Sequence, residues 1–363
     1  MDNAKTIPCA VLHKPKDPKY HVDARKFQGC PTIAITPKGR IYAGWYAGGL
    51  GEPHIENYNL LIYSDDFGKT WTEPLLVIPS SKENLVHALD IQLWVCPDGK
   101  LHVFWVQNNV ELPGPGKKGH YVDGYLFNDH THAEWEIICK NPDAEEPAFS
   151  APRYLDKGFL RCKPLVLNNG RWINFNYSQD DARYQYSISD DKGTTYHHKF
   201  GPIKKATPFD ETMAYQKEDG SIRMFSRTYE GELAETTSYD NGETWTEPVY
   251  SGIDSPNTRF FISRTPTGNV LLINNDCRLG RLNMTVYLSE DDGRTWKYKK
   301  CIDTRHTTYP DADFYAGRIY LVYDRGRITE REIHFISFTE EDIKNPDCVL
   351  TAQIISKPAG APE

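Results

Sequence analysis

The sequence predicts an all-β chain, a six-bladed β-propeller, and three observations carry that prediction. An octet recurs four times, a strand-turn-strand unit recurs six times, and no stretch sustains a helical period. The octets are Ser64 to Trp71 (SDDFGKTW), Ser189 to Tyr196 (SDDKGTTY), Ser238 to Trp245 (SYDNGETW) and Ser289 to Trp296 (SEDDGRTW). The last three begin 49 and 51 residues apart, a length that suits one small four-stranded sheet. Within each octet the hydroxyl and the Asp can bond the turn backbone, the Gly supplies a positive-φ position, and the closing aromatic plugs between sheets. Asp66, Asp191, Asp240 and Asp291 are therefore read as structural.

The longer units follow in order: PTIAITPKGRIYAGWY, DIQLWVCPDGKLHVFWV, KPLVLNNGRWINFNY, ETMAYQKEDGSIRMFSR, RFFISRTPTGNVLLIN and PDADFYAGRIYLVYD. Each sets apolar runs or alternating residues about one turn glycine, in turn Gly39, Gly99, Gly170, Gly220, Gly268 and Gly317, which is the signature of a hairpin. Such a hairpin followed by a second makes one blade, and radial repetition of blades protects the sheet edges. Residues 108–150 are rich in Pro, Gly and His and have lost the octet, so a long inserted loop is expected there. No linker divides the chain, and 1–363 reads as a single domain.

Composition narrows the function classes. Fifty acidic residues against 42 basic ones give a formal charge of -8, with no basic block of the kind that tracks phosphates or anionic lipid, so neither nucleic acid nor membrane is an expected partner. The chain holds 22 Tyr and 8 Trp, rings whose flat faces suit sugars and equally suit a β-rich core. Eight scattered cysteines show no CxxC and no zinc spacing, and they read as buried free thiols. The N-terminus MDNAKTIPCAVLHKPKDPKY lacks the apolar run of a signal peptide, so a cytoplasmic location is expected, although an exported protein stripped of its leader would read the same. No motif calls for a cofactor, and a structural calcium ion held by loop carboxylates remains compatible with the sequence.

In a propeller the first strand of each blade lines the central axis, so the residues that open the six hairpins converge. They are Gly29 and Cys30; His87 and Asp90; Arg161 and Lys163; Asp210 and Glu211; Asn257 and Arg259; Tyr309 and Asp311. So many charges at strand entrances imply a polar, ligand-sized pocket, with a wet channel as the alternative.

These octets and hairpins resemble the Asp boxes and blades of the sialidase (neuraminidase) superfamily over nearly the whole chain. The resemblance implies a Tyr nucleophile in the last blade, a Glu base in the fourth, three arginines that bind a substrate carboxylate, and an acid on a first-blade loop. Tyr309 matches the nucleophile and Glu211 its partner, with Asp210 the alternative carboxylate; Arg227 and Arg281 match the second and third arginines. A phenol with pKa about 10 is a weak nucleophile until a carboxylate takes its proton, and arginine forks hold a carboxylate in register. The first arginine is absent, since Gly29, Cys30 and Pro31 stand where sialidases carry Arg-Ile-Pro, so the chain reads as sialidase-like rather than as a true sialidase. In the loop GGLGEPHIENYNLLIYS the expected Asp acid is replaced by Glu52, His54 and Glu56, of which His54 and Glu56 are the proposed proton donors.

The leading expectation is an exo-glycoside hydrolase that removes a terminal sugar, acidic or next to an acidic one, from an oligosaccharide. Catalysis falls to Tyr309, Glu211, His54 and Glu56, and binding to Arg227, Arg281, Arg259, Arg161, His87, Asp90, Asp210 and Asp311. Two alternatives stand beside it: β-elimination next to a uronic acid, with His54, His87 or Tyr309 as base, and a sugar-binding propeller without turnover. The oligomeric state is not written in the sequence.

Overall fold

The computed structural model describes residues 2–117 and 119–362. It is all-β, a six-bladed β-propeller, with short helices at Asn3–Thr6 and Glu340–Lys344. The chain falls into two compact units. The first comprises 1–159, 322–335 and 353–363, and the second 160–321 and 336–352.

In the first unit, the opening blade pairs Phe27–Ile35, Ile41–Gly48, Tyr58–Ser64 and Leu76–Pro79, with Leu12–His13 on its outer edge. The second blade pairs Val86–Val95, Leu101–Glu111, Ala133–Cys139 and Arg153–Lys157. Side chains of the two sheets interdigitate in one core that includes Tyr42, Leu61, Leu76, Ile91, Leu93, Trp105 and Trp135. Burial on this scale, at about 25 cal/mol per Å² of apolar surface, is the main force holding neighbouring blades together. The stretch expected to be one long loop is more ordered than that. His120–Val122 and Tyr125–Phe127 form a hairpin on the end of Leu101–Glu111, and AEWEIIC supplies the third strand of the blade. Its alternation is short and flanked by His and Pro, which masks the strand in the sequence.

In the second unit, three four-stranded sheets follow: Leu165–Val166 to His197–Ile203, Met213–Gln216 to Val249–Asp254, and Phe261–Arg264 to Tyr298–Asp303. The sixth sheet is built from Thr307–Tyr315, Arg318–Arg325, Glu332–Phe338 and Gln353–Ser356. All six hairpin-turn glycines have positive φ, from 74° at Gly317 to 94° at Gly268.

The octets form one repeated hydrogen-bonded turn. In the last, Ser289 Oγ donates to Asp291 Oδ1 at 2.7 Å and accepts from Gly293 N at 2.9 Å. Asp291 accepts from Thr295 N at 2.8 Å and from its hydroxyl at 2.6 Å. The same set recurs about Asp66, Asp191 and Asp240. The Thr295 bonds and then the Ser289 bond hold the Asp291 carboxyl at about 2, below the usual range. The glycine is required twice over at Gly68, where φ is +86° and an added Cβ would stand 2.3 Å from the Phe335 ring.

Candidate functional site

The second unit gathers a charged cluster from residues that open its hairpins, joined by Arg227 at the end of the fourth hairpin and Arg281 beyond the fifth. Tyr309 Oη donates to Glu211 Oε1 at 2.7 Å. Arg227 Nη1 donates to Glu211 Oε2 at 2.9 Å and to Tyr309 Oη at 3.4 Å. Both lone-pair faces of the carboxylate are thus engaged, and the phenolic proton is aimed at a base. Arg161 and Arg281 flank the Tyr309 ring, with guanidinium carbons 5.3 and 6.0 Å from its centre. Asn257 joins two of the arginines: its side-chain oxygen accepts from Arg227 Nε, and its backbone oxygen from Arg281 Nη2 at 3.0 Å.

Local backbone geometry aims these groups. Glu211 and Tyr309 both sit in the left-handed region, with φ of 42° and 55°. Non-glycine residues seldom hold that conformation, and it costs of order 1–3 kcal/mol unless the surroundings enforce it. Both are nearly buried, at 4% and 8% exposure. Burial works to raise the Glu211 pKa, but the charges of Arg227 and Arg161 and the Tyr309 hydrogen bond outweigh it and hold the carboxyl below its usual range. The alternative carboxylate, Asp210, pairs instead with Lys204 at 3.5 Å, and burial pushes it up to about 7 against that pull. Asp311 is fully buried between Arg259 and Lys163, each at 3.1 Å, a pairing that braces the strand entrances.

The first unit holds the remaining predicted residues. His54 is buried: its Nδ1 accepts from Glu56 N at 3.2 Å, and its Nε2 lies 3.4 Å from Asp123. It lines a cavity of about 630 Å³ with Lys26, Asn57, Lys82 and Asp123. Glu56 is exposed and bonded to Lys82 at 2.7 Å, which holds its carboxyl below the usual range.

His87 is fully enclosed. Its Nε2 meets Tyr46 Oη at 2.6 Å, and its Nδ1 meets Asn108 Oδ1 at 2.8 Å. Asn57 donates to Tyr46 Oη at 2.6 Å and to Gly51 O at 2.8 Å, so the phenol donates to His87 Nε2 and the proton of the ring sits on Nδ1. Burial pushes this histidine down to about 4. With both nitrogens engaged it ties the first-blade loop to the second blade, and this geometry suits positioning rather than substrate contact. Asp90 is buried, with φ of 47°, and its carboxylate lies within 4.8 Å of Glu52 and the Cys30 thiol.

One residue escaped sequence reasoning. A Cβ on Gly29 would stand 2.7 Å from Cγ of Arg327, which therefore lies directly over the glycine. Arg327 donates to Asp324 at 3.0 Å and to Glu52 at 3.1 Å, and Asp324 also accepts from Cys30 N at 2.7 Å. The aliphatic stem of an arginine thus covers the place where residue 29 has no side chain, and the basic run after the last hairpin (DRGR) was its only trace in the sequence.

Comparison with known proteins agrees with this architecture. Residues 145–320 match the family described as BNR repeat-like domain, and residues 62–73 match the BNR/Asp-box repeat. An anhydrosialidase of Macrobdella decora is 27% identical over 179 residues, a match that spans 44% of this chain and 24% of that relative. Among solved structures, the intramolecular trans-sialidase of Ruminococcus gnavus in complex with oseltamivir carboxylate superposes with TM-score 0.67 at 16% identity, over 93% of this chain and 98% of its own. A mutant of the NanB sialidase of Streptococcus pneumoniae gives 0.66 at 18% identity, over 88% and 68%. The chain thus carries BNR/Asp-box repeats, and in its blades and these matches it is similar to proteins of the sialidase superfamily.

Proposed function

We propose that this protein is a sialidase-like exo-glycosidase that releases a terminal acidic sugar, and the observation that carries the reading is the Tyr309–Glu211–Arg227 triad. In this scheme Glu211 accepts the phenolic proton as Tyr309 Oη bonds to the anomeric carbon and the glycosidic bond breaks. A general acid protonates the leaving oxygen, and an incoming hydroxyl then displaces Tyr309. Arg227 and Arg281, linked through Asn257, supply donors for the sugar carboxylate. The proton donor is sought on the first-blade loop. There His54 is buried with Nε2 3.4 Å from Asp123, while Glu56 is held ionised by Lys82. The Macrobdella decora relative, named an anhydrosialidase, supports a sialoside as the first substrate to try.

The test is an assay on sialylated and uronate-terminated oligosaccharides that follows free sugar, anhydro-sugar and unsaturated uronate together. Release of sugar that falls at least about 100-fold in Tyr309→Phe and in Glu211→Gln is the expected result. Turnover that survives Tyr309→Phe would sink the proposal. Growth of unsaturated uronate would replace it by elimination, and binding without turnover would replace it by a lectin.

A further inference from the structure

Residues of the first blade and of the closing strand Gln353–Ser356, all within the first unit, line a cavity of about 370 Å³. None of them belongs to the proposed catalytic set. Its walls are largely apolar, with Trp45 and Ile62 from the blade's middle strands, Trp71 from the first octet and Ile354 from the closing strand. Trp71 is half-buried and fixed, since its Nε1 donates to Gly68 O at 3.1 Å and its ring meets Phe335 edge-on with centres 5.3 Å apart.

Arg25 lines the same cavity, and its charge is not balanced. It is 3% exposed, and its guanidinium carbon lies 5.6 Å from the centre of the Trp45 ring. Its hydrogen-bond acceptors are neutral: Nη1 donates to Ser356 Oγ at 2.9 Å and to Gln28 Oε1 at 3.4 Å, and Nη2 to Tyr20 O at 3.3 Å. Among the described residues it makes no ion pair, and its buried Nε has no hydrogen-bond partner. The buried Arg227 and Arg259, by contrast, meet Glu211 and Asp311 at 2.9 and 3.1 Å. Burial is the largest influence on Arg25 and holds its pKa below the ordinary value, against the weaker pull of Glu73 and Asp23. Glu73 lines the cavity too, but it is exposed and makes no ion pair among the described residues. A cation taken out of water without a counter-charge is costly, and a bound anion would offset that cost.

We infer that this cavity binds a small organic acid, its carboxylate on Arg25 and its apolar body against Trp71 and Ile354. The unbonded Nε is one prong of the fork on which a carboxylate docks with two hydrogen bonds. An inorganic anion would leave the apolar walls wet, and a neutral apolar ligand would leave the arginine unpaired. A sugar would set its hydroxyls against Trp and Ile. A mostly apolar pocket of this volume with one placed charge is the usual form of a small-molecule site. The inference stands apart from the glycosidase reading, because it uses none of the same residues.

The experiment is calorimetric titration of the full chain with phenylacetate, its neutral isostere phenylacetamide, acetate and sulfate, repeated on Ile354→Glu and Arg25→Gln. Ile354 is 47% exposed, so a carboxylate placed there repels the ligand without disturbing a packed core. The expected result is phenylacetate bound at least about tenfold more tightly than the amide or acetate, and weakened at least about tenfold in both variants. Should Arg25→Gln fail to fold, the acid–amide comparison on the wild type and the Ile354→Glu titration decide the matter. Equal binding of acid and amide, or phenylacetate binding that ignores Ile354→Glu, would overturn the inference. Sulfate bound as tightly as phenylacetate would make this an inorganic-anion site and overturn the choice of ligand. No binding of any probe would leave Arg25 as a brace between the first blade and the closing strand, and the proposed site would be struck.

Discussion

Glu211 shows how a single residue's surroundings set its chemistry. A buried carboxylate alone would be pushed toward its neutral form, yet Arg227 and Arg161 reverse that and keep it ionised below its ordinary value of 4.5. A base works above its pKa and fails as pH falls through it, so the acid limb of kcat/KM is expected below pH 4.5 in the wild type. In Arg227→Ala the burial remains while the largest favourable charge is gone, and the limb moves to higher pH. A pH profile of both proteins checks this; a limb that does not move would remove Glu211 as the titrating base. Glu211 and Tyr309 were legible in the sequence because they open hairpins at matching places in the repeat. Their left-handed backbone was not, since nothing in a Glu or Tyr codes for positive φ and the blade imposes it. Arg327 was hidden for a related reason: the space over Gly29 is filled from a turn nearly 300 residues away.

At the scale of the element, the octet is a self-contained turn whose bonds all run within a few residues, which is why four copies could be assigned from spacing alone. Ser289→Ala removes the acceptor for Gly293 N and the donor to Asp291, leaving a buried amide unpaired. The expected cost is about 1–3 kcal/mol, read as a lower urea midpoint at unchanged slope. No loss would show that the turn is held by its packed aromatic instead. The second blade gives the opposite lesson. It has no octet, and its third strand and added hairpin lie in a stretch whose Pro, Gly and His content reads as loop. Pairing with Leu101–Glu111 supplies the order that local propensity withholds.

For the whole molecule, stability comes from apolar packing between sheets, without covalent cross-links. All eight cysteines are free; Cys9, Cys30, Cys96, Cys139 and Cys162 are buried, and burial pushes the Cys9 thiol up to about 12. A thiol reagent at neutral pH is therefore expected to label Cys301 first, then Cys277 and Cys348, and to reach the other five only on unfolding. Reductant should leave the melting temperature unchanged. Rapid labelling of Cys30 or Cys9 in the native protein would contradict the packing described above.

The sequence by itself determined the architecture, because a repeat of glycines, hydroxyls and aromatics encodes turns and blade contacts locally and says the same thing four to six times. It also singled out which hairpin entrances carry charge. Only the tertiary structure decided what each charge does. Tyr309 met Glu211 across 98 residues, Asp210 turned to Lys204, His87 was enclosed by Tyr46 and Asn108, and Asp311 was spent on Arg259 and Lys163. The physical reason is that ionisable side chains take their partners and their desolvation from neighbours distant in the chain, whereas a turn takes its bonds from the residues beside it.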